Sequence, residues 1–202
     1  MPKLDQKSFD VLIARVREGN ASAASELVKL YEPEILRDIR LRLTDARLRR
    51  TLDSMDVCQS VFGNFFVRVA LGQIDFDRPG QLLRLLSTMA RNKVIDRHRR
   101  EKVRRPKNAS HPFREDLRTN EPHDPGESPS QIVAGQEMVE LVESKLSREE
   151  RTIAAMRRRG KTWAEIGEKL NESGEALRKR LARSCRRVLA ELGIEEQNPS
   201  ND

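Results

Sequence analysis

The chain has 202 residues, with 39 Lys and Arg against 32 Asp and Glu; the net charge of +7 favours an anionic partner. Leu, Ile, Val and Phe supply 50 residues, above the roughly 20% level below which a highly charged chain stays disordered, so a folded protein is expected. Eight aromatic residues and 35% charge argue against one large core and for two small helical modules. Cys58 and Cys185 stand far apart with no CxxC pair, which excludes a disulfide framework and gives no zinc signature. His98, His111 and His123 lack ligand spacing, so neither a metal nor another cofactor is expected. The sequence holds no apolar run of the ~18 residues that span a bilayer and no secretory h-region, so no membrane insertion is expected.

In chain order, Phe9, Leu12, Ile13 and Val16 recur at i, i+3, i+4, i+7, a short amphipathic helix ended by Gly19-Asn20, and Asn20 can cap the next. That second helix carries Leu27, Val28, Tyr31, Ile35, Leu36, Ile39 and Leu43, with Pro33 permitting a kink. A third stripe, Val57, Val61, Phe62, Phe65, Phe66 and Val69, starts after the cap candidates Asp53-Ser54. The cluster Gly72 to Gly80 breaks the pattern, and Pro79 opens a fourth helix to about Val103. This helix begins apolar (QLLRLLSTMA) and turns basic: eight Lys or Arg against Asp96 and Glu101 between Arg91 and Arg105. A solvated face mixes its signs, so the surplus points to phosphate binding.

Residues 106–128, acidic and Pro-rich, read as a linker that cannot bury enough surface to offset its ordering entropy. Ser128 to Gln131 then looks like a capping box opening a helix through Ile132, Val133, Met138, Val139 and Val142. Two further boxes, Ser147 with Glu150 and Thr162 with Glu165, start short helices; Ser173 can cap the last, through Leu177, Leu181, Val188 and Leu192. The pair flanking Asn171-Glu172-Ser173 has a helix-turn-helix pattern, which places its second helix in the DNA major groove. On a 100° wheel Leu177, Leu181 and Val188 share one arc, while Glu175, Lys179, Ala182, Arg183 and Arg186 lie opposite. Glu175 suits a cytosine amino group, Lys179 or Arg183 suits guanine, and Arg178 and Arg180 flank the reader face within reach of phosphates. The same pattern also fits a plain three-helix bundle, but thirteen Lys and Arg against six Asp and Glu from Ser147 to Arg187 favour the DNA reading. No GxSxG elbow, HExxH or Gly-rich phosphate loop is present, so no catalytic residue is assigned and the protein reads as a non-enzyme.

Three stretches resemble the extracytoplasmic-function (ECF) class of bacterial sigma-70 factors: Asp53-x-x-Asp56-x-x-Gln59-x-x-Phe62, Ala90-Arg91-Asn92-x-x-x-Asp96-x-x-Arg99-Arg100, and the run from Ser147 to Leu192. They resemble region 2.2, the end of region 2 and region 4. Their order and spacing carry the resemblance. It implies an all-α fold of two small helical domains: region 2 over residues 1–105 and region 4 over 129–202 with a short disordered tail, joined by the flexible 106–128 linker. It further implies that Asp53, Asp56, Gln59 and Phe62 dock on the clamp helices of the largest subunit of core RNA polymerase. Region 4 would lie at the flap of the second-largest subunit.

By the same resemblance, Arg91, Asn92, Asp96, Arg97, Arg99 and Arg100 bind the minus-10 promoter element and support strand opening, with one base flipped into a pocket formed partly by the 72–80 loop. Glu175, Arg178, Lys179, Arg180, Arg183 and Arg186 bind the minus-35 element. An anti-sigma factor covering both modules, and a cytoplasmic, nucleoid-associated location, follow as expectations. Ser60 stands where the family often has Glu, Lys93 and His98 where it is commonly apolar, and Gly167 where it usually has Ala, a small-for-small exchange expected to preserve close helix approach. Two other readings remain open: a polymerase-independent helix-turn-helix regulator, which leaves the Asp53 to Phe62 signature unused, and a sigma mimic or antagonist that binds polymerase without initiating.

Overall fold

The helices of the N-terminal half begin where the sequence supplies a side-chain acceptor for otherwise unpaired N–H groups. Helix α1, Gln6–Arg17, starts at Asp5, whose carboxylate accepts the Ser8 N–H at 2.9 Å. In α2, Ala21–Arg42, the Asn20 side chain accepts from the Ala23 N–H at 2.9 Å, and the helix runs unbroken through Pro33. Asp53 caps α3, Ser54–Ala70, by accepting the Met55 N–H at 2.8 Å, and α4, Pro79–Arg104, begins at its proline. The computed structural model describes residues 4–43, 53–74, 76–104 and 136–194. Among these the chain is all-helical, with eight helices and no strand.

Helices α1, α3 and α4 pack on α2, and α3 packs on α4. Phe9, Leu27, Tyr31, Phe65, Leu82 and Leu86 are fully buried there, each worth roughly 1.5–3 kcal/mol of transfer free energy for a large apolar side chain. Phe76, in the loop between α3 and α4, inserts between Phe9 and Phe65 at ring separations of 6.2 and 5.9 Å. Tyr31 donates its hydroxyl to the Pro79 carbonyl at 3.4 Å, and burial pushes its phenol up to about 12. The aromatic side chains thus fix where α4 starts and where the loop before it lies.

The second group comprises α5 (Gln136–Ser144), α6 (Arg148–Arg158), α7 (Trp163–Leu170) and α8 (Gly174–Glu191). Both capping boxes, Ser147 with Glu150 and Thr162 with Glu165, are formed, and Ser173 caps α8. The 106–128 linker and the box expected at Ser128 to Gln131 lie outside the described residues. Helix α7 ends on Asn171 in the left-handed conformation (φ 51°), which turns the chain into α8. The turn is tighter than a small-for-small exchange at Gly167 supposes. A Cβ there would stand 2.6 Å from the Glu172 carbonyl oxygen, so α7 approaches more closely than alanine permits.

Helix α3 is shared by the two groups, because α5, α6 and α8 pack against it as well. Its carboxyl end is covered by Arg157 and Arg158, the first two residues of the RRRGK segment at the end of α6. Arg158 donates to the Ala70 carbonyl at 3.0 Å and pairs with Glu143 at 2.6 Å; the Arg157 Nε donates to the Gly72 carbonyl at 3.2 Å. These bonds satisfy carbonyls that the end of α3 leaves without helical partners and place cations at the negative end of its dipole. No helix among the described residues is long and apolar enough to cross a membrane.

Candidate protein and nucleic-acid interfaces

Two concave surfaces lie on either side of α3 and α4. The first is a groove of about 460 Å³ lined on α3 by Asp56, Gln59, Ser60, Phe62, Gly63 and Phe66 and on α4 by Lys93 and Arg97, with Met138, Leu141 and Ile194 across it. Three of the four expected docking residues meet here. Asp56 is exposed and Gln59 half-buried, whereas Phe62 is 1% exposed and forms the floor, stacked on Phe66 at 6.4 Å. Asp53 stands at the helix start, its carboxylate engaged as the cap.

The second surface is a cleft of about 810 Å³ between the 73–77 loop and α4. Asn64, Arg68, Gln81, Thr88 and Asn92 supply polar groups, and Ala182 and Arg186 of α8 line the far side. The loop is held from both sides: the Asp77 N–H donates to Gln81 Oε1 at 2.8 Å, and the Gln6 amide donates to the Asp77 carbonyl at 2.5 Å. Arg68 donates to Asn64 Oδ1 at 2.7 Å, aligning two planar polar groups on one wall. Such a cleft can receive a flat, polar, partly apolar molecule such as a nucleobase.

The basic half of α4 does not act as one face. Asn92 lines the cleft and Arg97 lines the groove; Arg91, Arg97 and Arg99 are exposed and Asp96 is half-buried. Arg100 lies on the helix, but its side chain is outside the described ones. Lys93, counted with the surface cations in the sequence, is 4% exposed at a position the periodicity makes inward-facing. His98 is on α4, and His111 and His123 are outside the described residues.

On α8 the helical wheel and the structure coincide. Leu177, Leu181 and Val188 are fully buried, and Glu175, Arg178, Lys179, Arg183 and Arg186 are exposed. Their electrostatic states differ. Arg178 forks onto Glu175 at 2.9 and 3.0 Å with Lys179 at 3.4 Å, and hydrogen bonding from Arg178 is the leading cause that holds the Glu175 carboxyl below its usual range. Arg180 is half-buried between Glu172 at 2.6 Å and Glu149 at 3.3 Å, so it braces the turn instead of standing free for a phosphate. Arg183 and Arg186 form no ion pair among the described residues, which leaves them the readiest cations of the set for an anionic ligand.

Glu150 carries the architecture beneath that face. Its carboxylate completes the α6 capping box, accepts the Ser184 hydroxyl at 2.6 Å and pairs with Arg187 at 2.8 Å. Burial alone would raise its pKa, but the bonds from Ser184, the Ser147 N–H and Arg187 outweigh that and lower it. Cys58 and Cys185 are both buried and neither forms a disulfide among the described residues, and burial pushes the Cys58 thiol up to about 12, which leaves it inert at neutral pH. Ile194, Arg157 and Arg158 escape sequence reasoning; the available signals were Gly63 inside a helix and Gly72 after it, each a marker of close approach.

A sequence model of ECF sigma factors matches residues 6–192, which covers all eight helices and, apart from Gly193 and Ile194 of the groove, the lining of both concave surfaces. The chain belongs to the ECF sigma factor family. No curated protein and no solved structure matches it at a significant level. An ECF sigma factor binds core RNA polymerase and promoter DNA to start transcription, and the exposed cations of α8 and the polar cleft beside α4 are surfaces suited to the nucleic-acid part of that work.

Proposed function

We propose that this ECF sigma factor docks on the polymerase clamp helices through the α3 groove, reads the minus-35 element with α8 and stabilises the opened minus-10 element along α4. The observation that carries the reading is the separation of two chemistries on adjacent faces: Asp56 and Gln59 beside apolar Phe62 and Phe66 on one side, and a loop-walled polar cleft with Asn92 on the other. An acidic, partly apolar edge suits a coiled coil, and a polar cleft suits a base displaced from the duplex.

In this scheme Arg91, Arg99 and Arg100 neutralise the non-template backbone, and Asn92 with Arg68 and Asn64 contacts a flipped base. Capturing that base offsets an unstacking cost of a few kcal/mol, so opening needs no ATP hydrolysis by the factor. On the duplex, Arg183 and Arg186 supply the salt-dependent phosphate or guanine contacts, while Glu175, Arg178 and Lys179 exchange their mutual pairing for base edges or phosphates. Region 4 rests at the polymerase flap, and an anti-sigma factor that covers the docking groove would silence the factor.

The test is co-elution of the purified protein with bacterial core polymerase, followed by transcription from a promoter library. Promoter-dependent transcripts that are lost with Asp56→Ala/Gln59→Ala are expected. Undiminished core binding by that variant rejects the docking assignment, and core binding without transcripts favours an antagonist.

A further inference from the structure

We infer that helix α1 sets the shape of the cleft from outside it. Gln6, oriented by Asp10, and Arg17, together with Phe9, hold Phe76 and Asp77 in the conformation that walls the cleft, so capture of an unpaired base depends on α1 residues that do not line it. This rests on the reading of the cleft as the site for a displaced base, and it makes Gln6 and Arg17 positioning residues. Three observations carry it.

The first is that two side chains from different helices hold the backbone of Asp77. Its N–H donates to Gln81 Oε1 of α4 at 2.8 Å, and its carbonyl accepts from the Gln6 amide of α1 at 2.5 Å. The Gln6 nitrogen also donates to Asp10 Oδ1 at 2.7 Å, so both of its N–H groups are used. An ionised carboxylate accepts only; Asp10 therefore fixes which end of the amide faces it and turns the other N–H onto the loop. Gln6 itself stands at the first position of α1, which Asp5 fixes by accepting the Ser8 N–H at 2.9 Å and the Ser8 hydroxyl at 2.8 Å.

The second is the set of groups around Phe76, a buried side chain. Phe9 of α1 and Phe65 of α3 stand at ring separations of 6.2 and 5.9 Å, and the Arg17 guanidinium lies 5.5 Å from the ring centroid. Aromatic neighbours and a cation over the ring leave Phe76 one place to sit. At 100° per residue, Gln6, Phe9, Asp10 and Arg17 share one side of α1, so the helix presents a single stripe to the loop.

The third is the division of labour along the loop. Its ends belong to other helices: the Gln73 N–H donates to the Arg68 carbonyl of α3 at 2.9 Å, and the Pro79 carbonyl accepts the Tyr31 hydroxyl of α2. Between those fixed points, Phe76 and Asp77 line the cleft with Asn64, Arg68 and Asn92, whereas Gln6, Asp10 and Arg17 line neither the cleft nor the docking groove. A change in α1 therefore moves the wall without removing any group that would touch a base or the polymerase. The apparent affinity for an unpaired base is the intrinsic affinity reduced by the fraction of molecules whose loop is in place.

The test uses holoenzyme assembled from the full chain and core polymerase, with Gln6→Ala, Gln6→Glu and Arg17→Ala. The probes are fluorescent single-stranded minus-10 oligonucleotides taken from the promoter library, and the same strands with one abasic nucleotide moved along them. The native holoenzyme marks the captured position as the one where the abasic nucleotide weakens binding most. There each variant should shrink the ratio of intact-strand to abasic-strand affinity by roughly two- to tenfold, the effect of one lost hydrogen bond or cation–π contact, with core binding and abasic-strand binding unchanged. Gln6→Glu keeps the shape of the side chain and loses its N–H groups, so it should act as Gln6→Ala does. An unchanged ratio in the variants overturns the inference; so does equal weakening of both strands, the mark of a merely structural role. In the free chain, amide exchange at Asp77 should quicken by a similar factor in Gln6→Ala, and unchanged exchange refutes the positioning role whether or not the cleft takes a base. An abasic scan that is flat in the native holoenzyme rejects base capture and with it this role of α1, while exchange at Asp77 still reports the hold of α1 on the loop separately.

Discussion

Gly167→Ala isolates the tightest point of the helix-turn-helix. Alanine is the better helix former by up to ~1 kcal/mol, so propensity alone predicts stabilisation of α7. The new Cβ, however, would stand 2.6 Å from the Glu172 carbonyl oxygen, 3.0 Å from the Gly174 nitrogen and 3.4 Å from the Gly174 Cα. Carbon and carbonyl oxygen approach to about 3.3 Å in favourable contacts, so the turn must retreat by roughly 0.7 Å. None of the three atoms is the end of a flexible side chain. Moving them strains the Glu172 N–H bond to the Gly167 carbonyl (3.0 Å), the left-handed Asn171 and the Arg180 pair on Glu172. Overpacking of this kind costs about 1–3 kcal/mol, and subtracting the full propensity gain leaves a net destabilisation of up to about 2 kcal/mol. Urea unfolding followed by circular dichroism, with amide exchange read at the α7–α8 turn, measures it. An unchanged or raised midpoint with unchanged exchange at the turn would show that the turn yields freely and that the close approach holds nothing.

Thr162→Ala removes the hydroxyl that accepts the Glu165 N–H at 3.2 Å and should cost about 1 kcal/mol in the same assay, whereas Thr162→Ser should retain most of it. The Glu150 carboxyl titrates below its unfolded value, so its contribution is complete above the ordinary carboxylate range and is lost as pH falls through the lower folded pKa. Thermal melts from pH 6 down to pH 3 should therefore show a steeper loss for the native chain than for Glu150→Gln; parallel curves would exclude Glu150 as a source of acid sensitivity. Arg183→Ala should weaken promoter-duplex binding and lower the slope of log K against log salt by about 1 for one lost phosphate contact. An unchanged slope with altered base preference would assign Arg183 to guanine instead.

Local features were legible in the sequence because their causes are local. Asn20, Asp53, Ser147, Thr162 and Ser173 sit within four residues of the N–H groups they serve, and each caps the helix expected of it. The buried face of α8 follows from the period alone, which is why Leu177, Leu181 and Val188 are all fully buried. The basic half of α4 was less legible. A charge count along a helix does not distinguish Lys93, turned inward, from Arg91, turned outward; the apolar period does, and it had to outrank the sign of the charge. Composition is a property of the string, whereas burial is a property of the angle around the helix.

The contacts that join α3 to the C-terminal helices were illegible for a different reason. Arg157 and Arg158 stand 85 and 88 residues from the Gly72 and Ala70 carbonyls they bond, and nothing in RRRGK separates two half-buried arginines from their exposed neighbour Arg159. What does separate them is the partner: a helix terminus with unbonded carbonyls attracts donors, and Gly72 removes the side chain that would keep them away. Each feature is a common device when seen alone, a helix end, a glycine in a turn and an arginine run. Together they define a specific contact, because the glycine admits the arginine backbone to the one place where its guanidinium meets acceptors that α3 cannot satisfy itself. The same logic applies at Gly63, where a helix gives up up to ~1 kcal/mol of intrinsic stability relative to alanine and Ile194 fills the resulting space. Glycines in helices and at helix ends are therefore the positions from which a long-range interface in this chain can be inferred.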